Sequence, residues 1–324
     1  MTNMVKHKIY RIVIPLSILS IIIAVGYVRG QQADREIEIE IGKQAVKLEE
    51  PLAKLHDEAE KLLKAGKTAE AIAKYEEFLA QNPKGDHVPI VYLWIGGCYT
   101  WIGKPEQAIA QYEKIISGYP DFAYMPAVLY EMSIAYEISQ DYDNALAKLQ
   151  QIMETYPDTR MADQAQFTRG SIHYYQKKYE TAIEEYKKVL TDETDKNKHW
   201  RGLALYMMGA SYWGLKQYDE AIQVLQQRIK EFGADAQNAQ TQLTLGHVYH
   251  SAKHYDEAIA SYNKMMKNYP KDHNVPFALY SIGQSLEAQG RTQKAIEIYQ
   301  RLIERYPNYK ELAQKRIDFL FYQE

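Results

Sequence analysis

An all-α solenoid of seven helix-turn-helix repeats is the fold this sequence predicts, and three periodic features predict it. Seven alanines, Ala71, Ala108, Ala145, Ala182, Ala221, Ala258 and Ala295, follow one another at steps of 37, 37, 37, 39, 37 and 37 residues. Twelve residues before each stands another small residue (Ala59, Gly96, Ser133, Gly170, Gly209, Gly246, Gly283), so two helices must touch at both positions. Twelve residues after five of the alanines stands a proline (Pro83, Pro120, Pro157, Pro270, Pro307), preceded by tyrosine in four cases. Proline lacks an N–H and restricts the residue before it, so it ends the second helix of each unit.

The elements follow in chain order. Residues 1–11 form a short basic tail with Lys6, Lys8 and Arg11, and Ile12 to Val28 then runs without a charge. Seventeen apolar residues, or roughly 20 if Arg11 snorkels to the headgroups, suit a transmembrane signal-anchor. A signal-peptide core is usually shorter, and Ala24-Val25-Gly26 is only a passable cleavage site, so the alternative is secretion to the periplasm after cleavage. Basic residues ahead of the span place the tail in the cytoplasm and the repeats outside, a single-pass inner-membrane arrangement facing the periplasm. Residues 29–50 are a charged linker, in which Arg35 to Gly42 alternates like a strand while Ile37, Ile41 and Ala45 are spaced like a helix; both readings stay open. Residues 51–308 hold the seven repeats. In 309–324, Leu312, Ala313, Arg316, Ile317 and Leu320 recur at helical spacing and predict a capping helix over the apolar flank of repeat seven.

The repeats resemble tetratricopeptide (TPR) units. Repeat two carries the signature as Tyr92, Ile95, Gly96, Tyr99, Ala108, Tyr112 and Pro120, and repeat six as Leu245, Gly246, Tyr249, Ala258, Tyr262 and Pro270. The first repeat (Glu58, Leu62) and the fourth (Arg169, His173, Thr194 in place of proline) depart most from it. A step of 37, with Tyr-Pro followed by a second proline (Pro126, Pro276), is similar to TPR modules of bacterial cell-envelope proteins, including Tol-Pal and outer-membrane assembly systems. The resemblance implies a concave face lined by the second, fifth, ninth, twelfth and thirteenth residues of each first helix. Carried onto this chain, that rule gives a partner-binding groove of Trp101, Tyr130, Phe167, Tyr174, Tyr175, Tyr206, Trp213 and Tyr280, joined by His247 and His250. Half of such rings are expected to pack between repeats as core. The lysine, arginine and asparagine set with which chaperone-binding TPR proteins hold a terminal carboxylate is missing apart from Lys64.

Composition narrows the function. A formal net charge of -3, with lysines and glutamates interspersed on the second helices (Glu184, Glu185, Lys187, Lys188), disfavours nucleic acid as a partner. The single cysteine, Cys98, excludes an intramolecular disulfide and a cysteine-rich metal cluster. Gly66-Lys67-Thr68 resembles the end of a phosphate-binding loop, but Lys61 occupies the place of its first glycine and similar turns recur at Gly103 and Gly290, so no nucleotide is expected. His247, His250 and His254 fall at i, i+3 and i+7 without a carboxylate or cysteine to complete a metal site. No catalytic motif is present, and neither catalytic residues nor a cofactor are expected. The sequence reads as a membrane-anchored scaffold or adaptor that binds a protein or extended peptide through an aromatic groove. The alternatives are a structural subunit of a membrane complex acting through convex and terminal surfaces, and an accessory protein of an envelope enzyme.

Overall fold

The computed structural model describes residues 50–191, 198–233 and 237–322. Among them are fifteen α-helices and no strand. The expected anchor at Ile12–Val28 and the linker ahead of Glu50 lie outside the described residues, as does Thr194. Among the described residues no helix is long and apolar enough to cross a membrane.

The chain divides into two compact units, Met1–Ile152 and Met153–Glu324. The first holds α1 (Glu50–Lys64), α2 (Thr68–Gln81), α3 (Val88–Trp101), α4 (Pro105–Gly118), α5 (Met125–Ile138) and most of α6 (Tyr142–Thr155). The second holds α7 (Arg160–Tyr175), α8 (Tyr179–Val189), α9 (Lys198–Gly214), α10 (Tyr218–Phe232), α11 (Gln237–Ser251), α12 (Tyr255–Asn268), α13 (Val275–Ala288) and α14 (Thr292–Arg305). A 3-10 turn, Pro307–Tyr309, then leads into α15 (Lys310–Phe321). Within each unit consecutive helices pair as hairpins, as α3 does with α4 and α11 with α12, and second helices pack on the next first helix, as α4 does on α5 and α12 on α13.

The period has a steric cause. All seven register alanines are fully buried. Sixteen residues after each small residue of the first helix comes Tyr75, Tyr112, Leu149, Tyr186, Leu225, Tyr262 or Tyr299 on the second, every one at most 1% exposed. A Cβ added at Gly96, Gly170, Gly246 or Gly283 would fall within 3 Å of the ring of Tyr112, Tyr186, Tyr262 or Tyr299. Interiors are too closely packed to absorb that overlap without movement. Glycine is therefore the space into which the tyrosine ring fits.

Both helix ends are set locally. Pro89, Pro105, Pro126 and Pro276 sit in first turns, where the missing N–H costs nothing. Within every hairpin one residue is left-handed, namely Gly66, Gly103, Gln140, Lys177, Lys216, Lys253 or Gly290, with φ between +60 and +74°. The residue after it donates its N–H to a carbonyl five back, for example Lys67 to Leu62 at 2.8 Å and His254 to Tyr249 at 2.8 Å. That bond satisfies an orphan carbonyl of the first helix and turns the chain. The Gly66-Lys67-Thr68 turn belongs to this set, so its amides serve the end of α1. Second helices stop one residue before Tyr119, Tyr156, Tyr269 and Tyr306, each followed by proline.

The cap departs from expectation at one residue. Ala313, Ile317 and Leu320 of α15 are buried against repeat seven, and Arg316 pairs with Glu287 of α13. Leu312 points outward instead, because Ala313, Ile317 and Leu320 already fill the inner stripe, and Leu312 lies off it with Phe319 and Phe321 in solvent.

Candidate functional site

Three of the first helices stand apart in composition. α3 and α11 contain no Asp, Glu, Lys or Arg, and α13 contains only Glu287, which Arg316 engages. The second helices carry charge throughout, as in YETAIEEYKKV of α8.

In the first unit, Trp101 ends α3 and is 70% exposed, while Tyr130 on α5 is buried. Sequence reasoning passed over an aromatic group on α1 to α3: His56 stacks on Trp94 at 4.3 Å and 9°, with Tyr75 5.5 Å from Trp94. Cys98 is buried nearby, and burial pushes its thiol up to about 11, which leaves it inert at neutral pH.

The second unit carries the other predicted residues, all half-buried. Phe167 lies 5.5 Å from Tyr186 and 5.3 Å from Trp200, so it is largely a packing residue. Tyr174 meets Tyr175 and Tyr179 edge-on at 5.4 and 5.5 Å. Burial, with smaller contributions from Tyr206 and Tyr179, pushes the Tyr174 phenol up to about 12. Tyr280 rests 5.6 Å from Tyr299.

Four predicted residues lie along α9 and α11. The Tyr206 hydroxyl is 3.3 Å from Thr244 Oγ1 on α11. Trp213 Nε1 donates to Ser251 Oγ at 3.0 Å, and the indole stacks on His247 with centroids 6.1 Å apart. His247 Nε2 is 3.3 Å from Ser281 Oγ, and its ring is 5.5 Å from that of Tyr262. His250 Nδ1 is 2.9 Å from Ser285 Oγ, and its ring meets Tyr255 at 5.2 Å. Burial, then the neighbouring His250, lowers the His247 pKa to about 4; burial also lowers that of His250. Among the described residues no three His, Cys, Asp or Glu side chains converge on a point that could hold a metal.

Thr244, Ser251, Ser281 and Ser285 were not anticipated. Their signal was present: Trp213 to Ser251 and Tyr206 to Thr244 are each 38 residues, one repeat plus one. Reading each helix by itself hides contacts made at that interval. Arg228 on α10 was also missed. It is 1% exposed and donates to Gly202 O at 2.8 Å, Thr241 Oγ1 at 2.7 Å and Asn238 Oδ1.

The arrangement offers aromatic area, hydroxyls and imidazoles on adjoining helices, with Ser281 and Ser285 each bonded to a histidine. Rings with polar tips of this kind are frequent hot spots in protein recognition.

Two family models match the chain. One described as Tetratricopeptide repeat covers residues 237–308, and one described as Intraflagellar transport protein 56 covers residues 63–241, more than half the chain. Among solved structures, a tetratricopeptide repeat protein from Parabacteroides merdae is 15% identical, covers 83% of this chain and 98% of its own, and superposes with a TM-score of 0.51. The C-terminal part of a TPR repeat-containing protein from Cytophaga hutchinsonii is 17% identical, with coverages of 71% and 87% and a TM-score of 0.56. PilW, described as a widely conserved type IV pilus biogenesis factor, is 16% identical, with coverages of 71% and 98% and a TM-score of 0.53. At such identities the likeness is one of fold. No curated protein matches the chain.

Proposed function

Since the chain belongs to the tetratricopeptide repeat family, and over 63–241 to the family described as intraflagellar transport protein 56, we propose that it is a scaffold whose inner face binds a protein or extended peptide. The observation that carries this reading is the uncharged row of half-buried rings on α9 and α11, Tyr206, Trp213, His247 and His250. Rings with a polar tip and few rotors are frequent hot spots, and truncating one costs about 2 kcal/mol or more in binding. The partner belongs to an envelope assembly in this reading, which the envelope-type repeat step supports. PilW, of similar fold, is itself named as a biogenesis factor.

The tether is part of the proposal. The apolar run Ile12–Val28, preceded by Lys6, Lys8 and Arg11, anchors the chain in the inner membrane with its repeats in the periplasm. Protease added to spheroplasts should digest the repeats; survival until lysis would reverse the orientation.

Capture from solubilised envelope, with bound proteins identified by mass spectrometry, tests the groove. Tyr174→Ala, Tyr206→Ala and Trp213→Ala together should abolish capture while the helical circular-dichroism signal persists. Glu184→Ala and Lys187→Ala, both on the exposed face of α8, should leave it intact. Loss from the outer set alone would sink the proposal. A second reading, a structural subunit acting through terminal surfaces, has one observation in its favour: α15 and the residue after it expose Leu312, Phe319, Phe321 and Tyr322 together.

A further inference from the structure

α15 buries one stripe and leaves another bare. Ala313, Ile317 and Leu320 pack on repeat seven, while Leu312 and Phe319, seven residues or two turns apart, share the flank beside them and are 42% and 46% exposed. Tyr322, three residues past Phe319, is 91% exposed, and Tyr309, three residues ahead of Leu312, meets Phe277 of α13 edge-on at 5.6 Å. Phe277 is itself 47% exposed. Phe321 stands nine residues from Leu312, half a turn round the helix, and so falls off this flank. At the middle of the flank, Arg316 lies over the Phe319 ring at 5.0 Å and is paired with Glu287, and Lys315 is paired with Glu311 at 2.7 Å. Both charges are therefore answered within the chain.

The order of the apolar side chains selects the occupant. Tyr309, Leu312, Phe319 and Tyr322 are spaced 3, 7 and 3 residues apart, a pattern that reads the same from either end. A two-fold interface uses one patch on both subunits, so in an antiparallel pair each residue must find its reversed counterpart. With two copies of α15 laid antiparallel about a point between Lys315 and Arg316, Leu312 of one copy lies against Phe319 of the other. Tyr322 of one copy then reaches the Tyr309–Phe277 pair of the other. A partner of unrelated sequence imposes no such symmetry.

Area sets the strength. Aromatic side chains bury about 150–250 Å² each, so Phe277, Phe319 and Tyr322, with Leu312, leave on the order of 400 Å² to be covered on each copy. Two copies, with the stems of Lys315 and Arg316, approach the ~1,000 Å² that a specific interface needs and stay below the standard size. We propose that the bare flank of α15 is a self-association surface through which two copies of this chain pair, antiparallel and two-fold, as a weak dimer. This rests on the second reading above, in which terminal surfaces join the chain to a complex, and names the occupant of that surface.

The test uses the full chain in detergent. Light scattering should report a dimer at about 100 µM that dilutes to monomer at about 1 µM, a micromolar affinity. Leu312→Glu with Phe319→Glu puts two carboxylates into the apolar flank; both sites are exposed in the single chain, so circular dichroism should be unchanged while the dimer weakens roughly tenfold or more. Lys315→Cys, beside the axis, should form an intermolecular disulfide with itself on mild oxidation, whereas Glu304→Cys, exposed on α14, should stay reduced. Cys98 is buried and adds no cross-link. A wild type monomeric throughout that range, a dimer that survives the glutamate variant, as pairing through Ile12–Val28 would, or equal cross-linking by both cysteines would each overturn the proposal. Should the glutamate variant unfold, the two cysteine variants decide. If the wild type is monomeric yet the glutamates abolish capture of an envelope protein, self-association fails and the terminal-surface reading stands. If neither mass nor capture responds to them, both fail.

Discussion

Repeats five and six share a backbone plan and part most sharply at one buried position. In repeat six, Met265 of α12 stands 19 residues after Gly246 and is fully buried in an apolar cluster with Val275, Leu279 and Tyr262. At the same interval Ile115, Ile152, Val189 and Leu302 serve repeats two, three, four and seven, all at most 2% exposed, and the half-buried Phe78 serves repeat one. Repeat five places Arg228 there, equally buried, bonded to Gly202 O, Asn238 and Thr241 and 5.8 Å from the ring of Phe232. One solution is apolar and depends on volume. The other is a charge whose desolvation is offset only while each donor keeps its acceptor.

The largest expected effect breaks this comparison directly. Arg228→Met makes repeat five like repeat six in shape, yet it leaves Gly202 O, Asn238 and Thr241 without the donors they now have. Unsatisfied buried groups cost about 1 to 3 kcal/mol each, so a loss of about 3 kcal/mol is expected from chemical denaturation. Met265→Leu, a volume-conserving change, should cost under about 1.5 kcal/mol. If Arg228→Met proves neutral, the polar junction is interchangeable with the apolar one, and the difference between the repeats carries no energetic meaning.

The next effect lies at the glycines that face the second helices. A Cβ at Gly246 would strike the ring of Tyr262, which is rigid and fully buried. A Cβ at Gly209 would strike the branched end of Leu225, which can rotate about its own bonds. Overpacking costs about 1 to 3 kcal/mol, and alanine returns about 1 kcal/mol of helix propensity. Gly246→Ala should therefore lower the melting temperature more than Gly209→Ala. Gly97→Ala, on α3 with nothing within 4 Å of the added atom, should raise it. Equal tolerance at Gly246 and Gly209 would mean that ring and leucine yield alike.

These two junctions also show what the sequence made legible. The alanine and glycine register was readable because a close helix approach admits only small residues, and the prolines marked the second-helix ends because no other residue lacks an N–H. Both depend on one residue at a time. Arg228 was hidden because charge on an amphipathic second helix is read as solvent-facing, and only its place at the interval shared by Ile115, Ile152, Val189, Met265 and Leu302 reveals it as core. The contacts of the projected groove residues were not legible. Trp213 does stack on His247, but Tyr206 reaches Thr244 instead, Tyr130 is buried, Phe167 packs on Tyr186 and Trp200, and the serines bonded to the histidines come from the following repeat. Contacts across one repeat depend on the rotamers of two helices at once, which a single-helix projection does not contain.

The smallest expected effect is one that the two repeats should share. Lys216 and Lys253 occupy the left-handed turn position at φ of 60 and 65°, where repeats one, two and seven use Gly66, Gly103 and Gly290. An L-residue there carries a steric cost of about 1 to 2 kcal/mol, because its Cβ crowds the following carbonyl. Glycine relieves that cost but loses more conformational freedom on folding, about 0.5 to 1 kcal/mol. The balance favours Lys216→Gly and Lys253→Gly by on the order of 0.5 kcal/mol each. The turn bonds are alike, Gln217 N to Tyr212 O at 2.9 Å and His254 N to Tyr249 O at 2.8 Å, so the gains should match. Thermal melts of the two single variants and the double should then add. A larger gain in repeat five would mean that the polar junction around Arg228 strains its own hairpin turn, and the contrast between the repeats would extend beyond their buried side chains to the backbone that carries them.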